Sequence, residues 1–204
     1  PLTRMRLRAE LIDDPALQAK LNADIDAMQT MVEGVLAYLR GLEDGEPVQT
    51  IDMDALLQSM VEDERALGRA VVAVDPGAPV TYRGKLTALR RAIANLVANG
   101  AAHGRTVVVS LRNEPGALTI CVEDDGPGIP EADLARVVEP FVRLDTARAL
   151  DGGGMGLGLA IARDAAAFHG GQLVLENRAE GGLRARLVLP QGADSADAVR
   201  TRLA

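Results

Sequence analysis

Apolar residues near the start of the chain recur at helical spacing. Between residues 21 and 39 they follow steps of four and three, which predicts a helix with a heptad seam made of Leu21, Ile25, Met28, Val32, Val35 and Leu39. A shorter stripe of Leu2, Met5, Ala9 and Ile12 predicts a first helix. Asp13-Asp14-Pro15 lies between the stripes, where Asp and Pro favour a break and a new helix start. The two helices are therefore predicted to form an antiparallel hairpin.

A two-helix hairpin cannot cover its own apolar seam. Pairing of two hairpins into a four-helix bundle would bury the seam, which predicts a homodimer. The alternative is that the helices pack on the rest of the chain.

Beyond a linker containing Gly41, Gly45 and Pro47, the pattern changes to mixed helices and strands. Helices are predicted over 53–67, with Asp52 as its cap, over 85–102 and over 157–168. Strands are predicted over 70–74, 106–111, 117–122, 172–176 and 183–189, and the tail after Pro190 is predicted to be ragged or weakly helical. The sum is an α+β fold, a mixed sheet with helices on one face.

Composition and charge narrow the range of possible functions. The 204 residues carry a formal net charge of -7, which argues against a nucleic-acid partner because phosphate backbones require a basic face. The single cysteine, Cys121, lies in an apolar strand and is predicted to be a buried structural thiol in a reducing compartment. No apolar run approaches the roughly 18 residues of a membrane span.

Polar residues that could bind a ligand or a metal lie on the helix predicted over 85–102 and directly after the strand predicted over 117–122. Asn95 and Asn99 are four residues apart, so both amides share a helix face with His103, and an amide oxygen suits Mg²⁺. Asn95 and Asn99 on their own could equally be the solvated edge of that helix. Asp124 follows the strand and can accept the exocyclic amine of a purine, while glycines allow the base to approach the backbone.

A glycine-rich run, residues 152–158, leads directly into the helix predicted over 157–168. Free amide groups at that helix N-terminus would form a site for polyphosphate. On its own, the run could also be only a flexible loop before a helix start.

Four motifs occur in order: Asn95-Leu96-Val97-Ala98-Asn99, Asp124-Asp125-Gly126-Pro127-Gly128, Phe141-Val142-Arg143-Leu144-Asp145 and Gly154-Met155-Gly156-Leu157-Gly158-Leu159. They resemble the N, G1, F and G2 boxes of sensor histidine kinases, most closely the EnvZ-like osmosensor type. The resemblance implies a two-layer α/β sandwich of the Bergerat (GHKL) type over residues 46–192. A dimerisation hairpin over 1–45 would precede it, and a tail over 193–204 would follow.

The resemblance also implies a role for each motif residue. Asn99 would ligate Mg²⁺, Asn95 would assist at the phosphates, and Arg143 would contact the γ-phosphate of ATP; these three are the expected catalytic residues. Asp124 would bind the adenine amine. The other expected nucleotide-binding residues are His103, near the base or ribose, and Gly126, Gly128, Ile129, Phe141, Arg148, Gly154, Gly156, Leu157, Gly158 and Leu159. Two departures from the family pattern, Gly100 and Ala102, replace an alanine and a basic residue.

The opening Pro1-Leu2-Thr3-Arg4 resembles the family's run around the phosphoacceptor histidine, which would precede the proline by five residues. That histidine, and the threonine used in dephosphorylation, are not among the 204 residues. We therefore expect a truncated transmitter fragment that cannot phosphorylate itself. By resemblance it would be cytoplasmic, joined to a membrane only through a sensor segment outside this chain, and partnered by a response-regulator receiver domain.

Three rival functions share parts of this pattern. GHKL ATPases such as gyrase, Hsp90 and MutL are similar, but they place a glutamate where this chain has Asn95, and an amide cannot be a general base. An anti-sigma serine kinase would have no place for the helical hairpin or the phenylalanine motif. A non-catalytic dimerisation module that docks a response regulator is the third alternative.

Overall fold

The computed structural model describes residues 2–12, 14–40, 45–74, 79–144 and 155–191. Two compact units are present, Pro1–Glu43 and Asp44–Ala204. The helices are α1 (Leu2–Ala9), α2 (Pro15–Arg40), α3 (Met53–Ala66), α4 (Leu86–His103) and α5 (Gly158–Phe168). The strands are β1 (Gln49–Asp52), β2 (Val71–Val74), β3 (Thr81–Gly84), β4 (Val107–Glu114), β5 (Ala117–Asp124), β6 (Gln172–Asn177) and β7 (Leu183–Pro190).

The first unit is a pair of helices, as the sequence predicts. The Asp14 carboxylate accepts hydrogen bonds from Ala16 N at 2.9 Å and Leu17 N at 3.3 Å, and so caps the start of α2. An Arg6–Asp26 ion pair joins α1 to α2. On the predicted seam Ile25 is buried, whereas Met28 and Val32 are about half exposed at 47% and 50%. Part of the seam is therefore uncovered within this single chain.

The second unit is built on a five-stranded sheet in the order β2-β4-β5-β7-β6. The β2–β4 pair is parallel and the other three pairs are antiparallel. Alternate residues of the central strands are buried with the apolar faces of α3, α4 and α5, for example Val109, Ile120 and Leu187. This confirms the predicted mixed sheet with helices on one face.

Charged side chains occupy the opposite face of the sheet. Arg184 binds Glu123 at 2.5 Å and Glu176 at 3.1 Å, and Arg186 also binds Glu176 at 3.1 Å. Cys121 is buried among them, as predicted, and burial raises the pKa of its thiol.

Two strands were not predicted from the sequence. β1 and β3 form a separate antiparallel pair, with Ile51 opposite Tyr82. Each strand has four residues and alternates exposed with buried side chains only once or twice, which is too short for a periodic pattern. β4 and β5 also extend past their predicted ends. Glu114 of β4 pairs with Ala117 beside the hairpin turn, and Asp124 of β5 pairs with Val107 at the other end of the ladder.

Among the described residues, no helix is long and apolar enough to cross a membrane. The predicted tail, 193–204, lies outside the described residues.

Candidate nucleotide-binding site

Helix α4 forms one wall of the candidate site. Its buried face carries Leu89, Ile93 and Leu96, while Asn95 and Asn99 are half-buried. The Asn95 Nδ2 group donates a hydrogen bond to the Arg91 carbonyl oxygen at 2.8 Å, which fixes the orientation of the amide. Its other polar atom, Oδ1, faces the start of α5: a β-carbon built on Gly158 would lie 3.2 Å from it. An amide oxygen is therefore directed at a helix N-terminus.

The N-terminus of α5 closes the site opposite Asn95. Leu157 is the N-cap residue and provides no side-chain capping bond, so the first backbone N–H groups of the helix keep their donor capacity. Leu157 and Leu159 are buried and anchor this turn in the core, which leaves Gly158 facing α4. Such a helix start is suited to bind an anionic group.

Asp124 is the last residue of β5 and is buried, with 5% of its surface exposed. Its Oδ1 atom accepts hydrogen bonds from Gly126 N at 2.9 Å and Leu183 N at 3.2 Å. Neither bond uses Oδ2. The carboxylate is thus held in one orientation by backbone donors while one oxygen keeps its capacity to accept a bond from a ligand.

The neighbouring Asp125 has a different environment. It is exposed, and its Oδ1 atom accepts hydrogen bonds from Arg105 N at 2.6 Å and Thr106 N at 3.0 Å. These bonds, that of Thr106 first, lower the pKa of the Asp125 carboxyl. Asp125 therefore fastens the connection between α4 and β4, and of the two aspartates only Asp124 is buried at the site.

Close packing explains the glycines of this turn. A β-carbon on Gly126 would lie 2.7 Å from the carbonyl oxygen of His103, the last residue of α4. Gly128 has φ +73°, a left-handed conformation that favours glycine. The structure thus brings His103 to the Asp124 turn through its backbone, while its side chain is exposed.

A backbone hydrogen bond joins the phenylalanine motif to the glycine-rich run. Phe141 N donates a hydrogen bond to the Gly156 carbonyl oxygen at 2.9 Å, and a β-carbon on Gly156 would lie 2.5 Å from Val142 O. Phe141 has φ 66°, which costs a non-glycine residue about 1 to 2 kcal/mol, and its ring is 55% exposed. Arg143 is half-buried beside this junction. Arg148 and Gly154 lie outside the described residues.

The two departures from the family pattern have different surroundings. Gly100 is buried, and a β-carbon there would lie 3.1 Å from Val107 Cγ2 and 3.5 Å from Asp124 Cβ. The glycine therefore lets α4 pack closely on β4 and β5. Ala102 is exposed and offers no charge to a phosphate.

Two contacts hold the N-terminus of α4. Its N-cap residue, Lys85, makes no side-chain capping bond, and the Glu46 carboxylate accepts from Thr87 N at 2.5 Å and Ala88 N at 3.2 Å instead. The Lys85 backbone N–H donates to His169 Nε2 at 3.0 Å. His169 is the C-cap residue of α5, so it ties the last turn of that helix to the start of α4.

Residues in the hairpin between β6 and β7 also contact the candidate site, and they were not predicted from the sequence. Asn177, Arg178, Gly182 and Leu183 all contact the Asp124 turn. Only the paired glycines Gly181-Gly182 mark a turn in the sequence, and nothing local indicates that the turn faces Asp124.

The fold and the arrangement of α4, the Asp124 turn and the start of α5 are those of the GHKL class of ATP-binding domains. Residues 84–193 match the family described as histidine kinase-, DNA gyrase B- and HSP90-like ATPases, and the chain belongs to this family. The predicted α+β fold and the resemblance to sensor histidine kinases are confirmed.

Named relatives place the chain more narrowly. The sensor histidine kinase GtrS of Pseudomonas aeruginosa is 42% identical over 191 residues, covering 94% of this chain and 39% of that protein. The crystal structure of the ATP-binding domain of PrrB from Mycobacterium tuberculosis matches with a TM-score of 0.60 at 29% identity, over 72% of this chain and 98% of that one. The NMR structure of the histidine kinase domain of the E. coli osmosensor EnvZ matches with a TM-score of 0.58 at 33% identity, over 74% of this chain and 92% of that one. The chain therefore contains the ATP-binding catalytic domain of a sensor histidine kinase.

Proposed function

We propose that this chain binds Mg-ATP and transfers the γ-phosphoryl group to a histidine on the dimerisation helix, a histidine that is not among these 204 residues. The phosphoryl group would then pass to an aspartate of a response-regulator receiver domain. The chain would act as a homodimer through α1 and α2. It would work in the cytoplasm, joined to a membrane only through a sensor segment outside this chain.

The observation that carries the proposal is the amide of Asn95. Its Nδ2 group is committed to the Arg91 carbonyl, and Oδ1 faces Gly158 at the start of α5. An amide does not accept a proton from water at neutral pH, so no general base for hydrolysis stands at this position. ATP would therefore keep its γ-phosphoryl group until a protein nucleophile arrives.

Different residues of the site would bind different parts of ATP. Asp124 Oδ2 would accept a hydrogen bond from the adenine amine, and the first N–H groups of α5 would bind the phosphates. Arg143, two residues after Phe141, would contact the γ-phosphate and so stabilise charge in the transition state. In the transfer itself an imidazole nitrogen of the acceptor attacks the γ-phosphorus, the bond to the β-phosphate oxygen breaks, ADP leaves, and the imidazole loses its N–H proton.

The donor set fits a magnesium ion that is shared with the nucleotide. Among the described residues, no group of three or more His, Cys, Asp or Glu side chains could hold a metal by itself. Mg²⁺ prefers six oxygen ligands and commonly takes most of them from phosphates and water. Asn99 would provide one amide oxygen, with the Asn95 oxygen nearby. The ion would neutralise charge on the phosphates.

The function is tested by isothermal titration calorimetry and by phosphate transfer. We expect the chain to bind Mg-ATP, and Asn99→Ala to weaken binding at least tenfold, because it removes the metal ligand. Asn113→Ala, an exposed residue at the end of β4, is the matched control and should bind like the parent chain.

For transfer, the chain is extended to include an acceptor histidine and incubated with γ-³²P-ATP. Acid-labile, alkali-stable label that depends on both the histidine and Asn99 is the expected result. Release of free phosphate without labelling of any protein would indicate an ATPase, and would refute the proposal. Label on the 204-residue chain itself would overturn the expectation that it lacks an acceptor.

A further inference from the structure

The hairpin between β6 and β7, residues 177–183, closes over the Asp124 turn and is called the hairpin clamp below. Its own shape is set by Arg178 N donating to Gly182 O at 3.0 Å and Gly181 N donating to Arg178 O at 3.1 Å. Gly181 and Gly182 have φ values of +94° and +93°, which side-chain-bearing residues rarely adopt. A β-carbon on Gly182 would collide with the Asp124 carbonyl oxygen, so the glycine permits the close approach.

Asn177 holds the far end of the turn by two hydrogen bonds to one residue. Ile129 N donates to Asn177 Oδ1 at 2.9 Å, and Asn177 Nδ2 donates to Ile129 O at 2.7 Å. Asn177 Nδ2 also donates to Glu131 Oε1 at 3.3 Å, so the amide oxygen and the amide nitrogen are both engaged at this end of the turn. Gly128 lies beneath this amide, since a β-carbon there would be 2.6 Å from Asn177 Oδ1.

The clamp holds the near end of the turn through Asp124 itself. Arg178 Nη1 donates to the Asp124 carbonyl oxygen at 2.7 Å, and Leu183 N donates to Asp124 Oδ1 at 3.2 Å. One hairpin thus fixes both ends of the turn and one oxygen of the carboxylate. Since the turn has glycines at positions 126 and 128, its own backbone would not hold that geometry alone.

We propose that the hairpin clamp sets the base selectivity of the site and that Asn177 is a positioning residue for adenine recognition. This inference rests on the proposed function, because it assumes that Asp124 meets the base of a bound nucleotide. By fixing Ile129, Asn177 fixes the path of the turn, and with it the direction of Asp124 Oδ2.

Selectivity follows from the chemistry of the two purines. Adenine presents an amine donor at its six position, whereas guanine presents a carbonyl acceptor there, which a carboxylate repels. A carboxylate held in place discriminates between them strongly. A carboxylate on a loosened turn can move away from the guanine oxygen and gains less from the adenine amine.

The test compares ATP with GTP on three substituted chains. Asn177→Asp has the same size but loses the donor to Ile129 O, and it places a carboxylate against that carbonyl. Asn113→Asp makes the same chemical change on the β4–β5 hairpin and is the matched control. Asn177→Ala removes both bonds to Ile129, and the bond to Glu131, without adding charge. The ratio of ATP to GTP affinity is the readout, because added negative charge weakens both triphosphates alike and cancels in the ratio.

We expect the ATP:GTP affinity ratio to fall about tenfold in Asn177→Asp and in Asn177→Ala, and to stay at the parent value in Asn113→Asp. Hydrogen exchange of the Ile129 amide, measured without nucleotide, should accelerate in Asn177→Ala, which removes the acceptor of that N–H group, and less in Asn177→Asp, which keeps an acceptor oxygen. An unchanged ratio in folded Asn177 variants would overturn the inference, even if their melting temperatures fell. A parent chain that binds neither nucleotide would instead contradict the proposed function.

Discussion

His169 is a buried side chain whose hydrogen bonds define its protonation state. Its Nδ1 atom lies 2.7 Å from the Ala165 carbonyl oxygen and must donate to it, while Nε2 accepts from the Lys85 backbone N–H at 3.0 Å. Both roles are possible only for a neutral ring, because a protonated Nε2 would direct a hydrogen at the Lys85 donor. The Lys85 ammonium group, 3.8 Å from the centre of the Phe168 ring, adds a nearby positive charge.

Stability should therefore fall in mildly acidic solution through this residue. Burial, followed by the charge of Lys85, lowers the pKa of His169, against the opposing Ala165 hydrogen bond and Glu46 charge. The unfolded chain, with a histidine pKa of about 6.5, binds the proton first as the pH falls, so the contribution of His169 is complete above that value and declines below it. Each pKa unit of lowering corresponds to about 1.4 kcal/mol.

Urea unfolding at pH 7.5 and 5.5 measures this effect. Carboxylates also titrate in that range, so the comparison is with His169→Gln, which should be less stable at pH 7.5 but lose less on acidification than the parent chain. Equal losses in the two chains would show that His169 does not set the pH dependence.

At the same scale, the sequence predicted candidate site residues that lie in short motifs, and it missed residues that reach the Asp124 turn from a distant part of the chain. The motif residues lie in runs of Asn, Asp and Gly, whose spacing is itself informative. Asn177, by contrast, ends an ordinary strand, and its partner Ile129 is 48 residues earlier. The pairing of β5 with β7, and of β7 with β6, brings the two together, and the β5–β7 pairing is not encoded in any short segment.

Helix α4 depends on a residue outside itself for its first turn. The backbone N–H groups at the start of a helix have no partners within the helix, and here Glu46 satisfies those of Thr87 and Ala88. A carboxylate at this end is also favoured by the helix dipole. Because Asn95 and Asn99 lie on α4, a residue at the end of the linker helps to fix the helix that carries the candidate metal ligand.

We expect Glu46→Ala to lower the free energy of unfolding by about 1 to 2 kcal/mol, the range for loss of a helix cap. Glu46→Gln keeps an acceptor oxygen but loses the charge, so its effect should be intermediate. Glu114→Ala, at the exposed end of β4, is the control for removing a surface carboxylate. The free energy of unfolding of each variant is measured by urea unfolding. A decrease in Glu46→Ala no greater than in Glu114→Ala would refute the capping role.

Element prediction worked where a periodic pattern was long. The 18-residue helix α4 and the hairpin of β4 and β5 were predicted because each repeats its apolar spacing several times. β1 and β3 were missed because each has only four residues. They form through pairing with each other across the intervening α3 and β2, and such long-range pairing leaves no local pattern.

At the scale of the whole molecule, the proposed dimerisation helices and the candidate nucleotide-binding site belong to different units. Every described contact of the candidate site lies within Asp44–Ala204, while the half-exposed Met28 and Val32 lie in Pro1–Glu43. A chain of residues 44–204 is therefore expected to be a monomer with the ATP affinity of the full chain. The full chain is expected to be a dimer.

Sedimentation equilibrium and calorimetry on the two chains test this together. Val32→Asp in the full chain is the companion variant, and should favour the monomer without changing ATP affinity. A full chain that is monomeric at high concentration would refute dimerisation through the helices, and a large loss of affinity in residues 44–204 would refute the separation of roles.

The hairpin clamp also has a consequence for how the protein is made. A ribosome synthesises β5 and all four sequence motifs before it reaches β6 and β7, so a nascent chain ending at Phe168 has Asp124 without Asn177, Arg178 or Leu183 beside it. β5 also keeps one unpaired edge until β7 emerges, and an exposed edge invites mispairing with other chains. We therefore expect ATP to favour completed chains over nascent ones, and premature termination in this last stretch to yield aggregation-prone protein rather than a folded domain with weaker ATP binding.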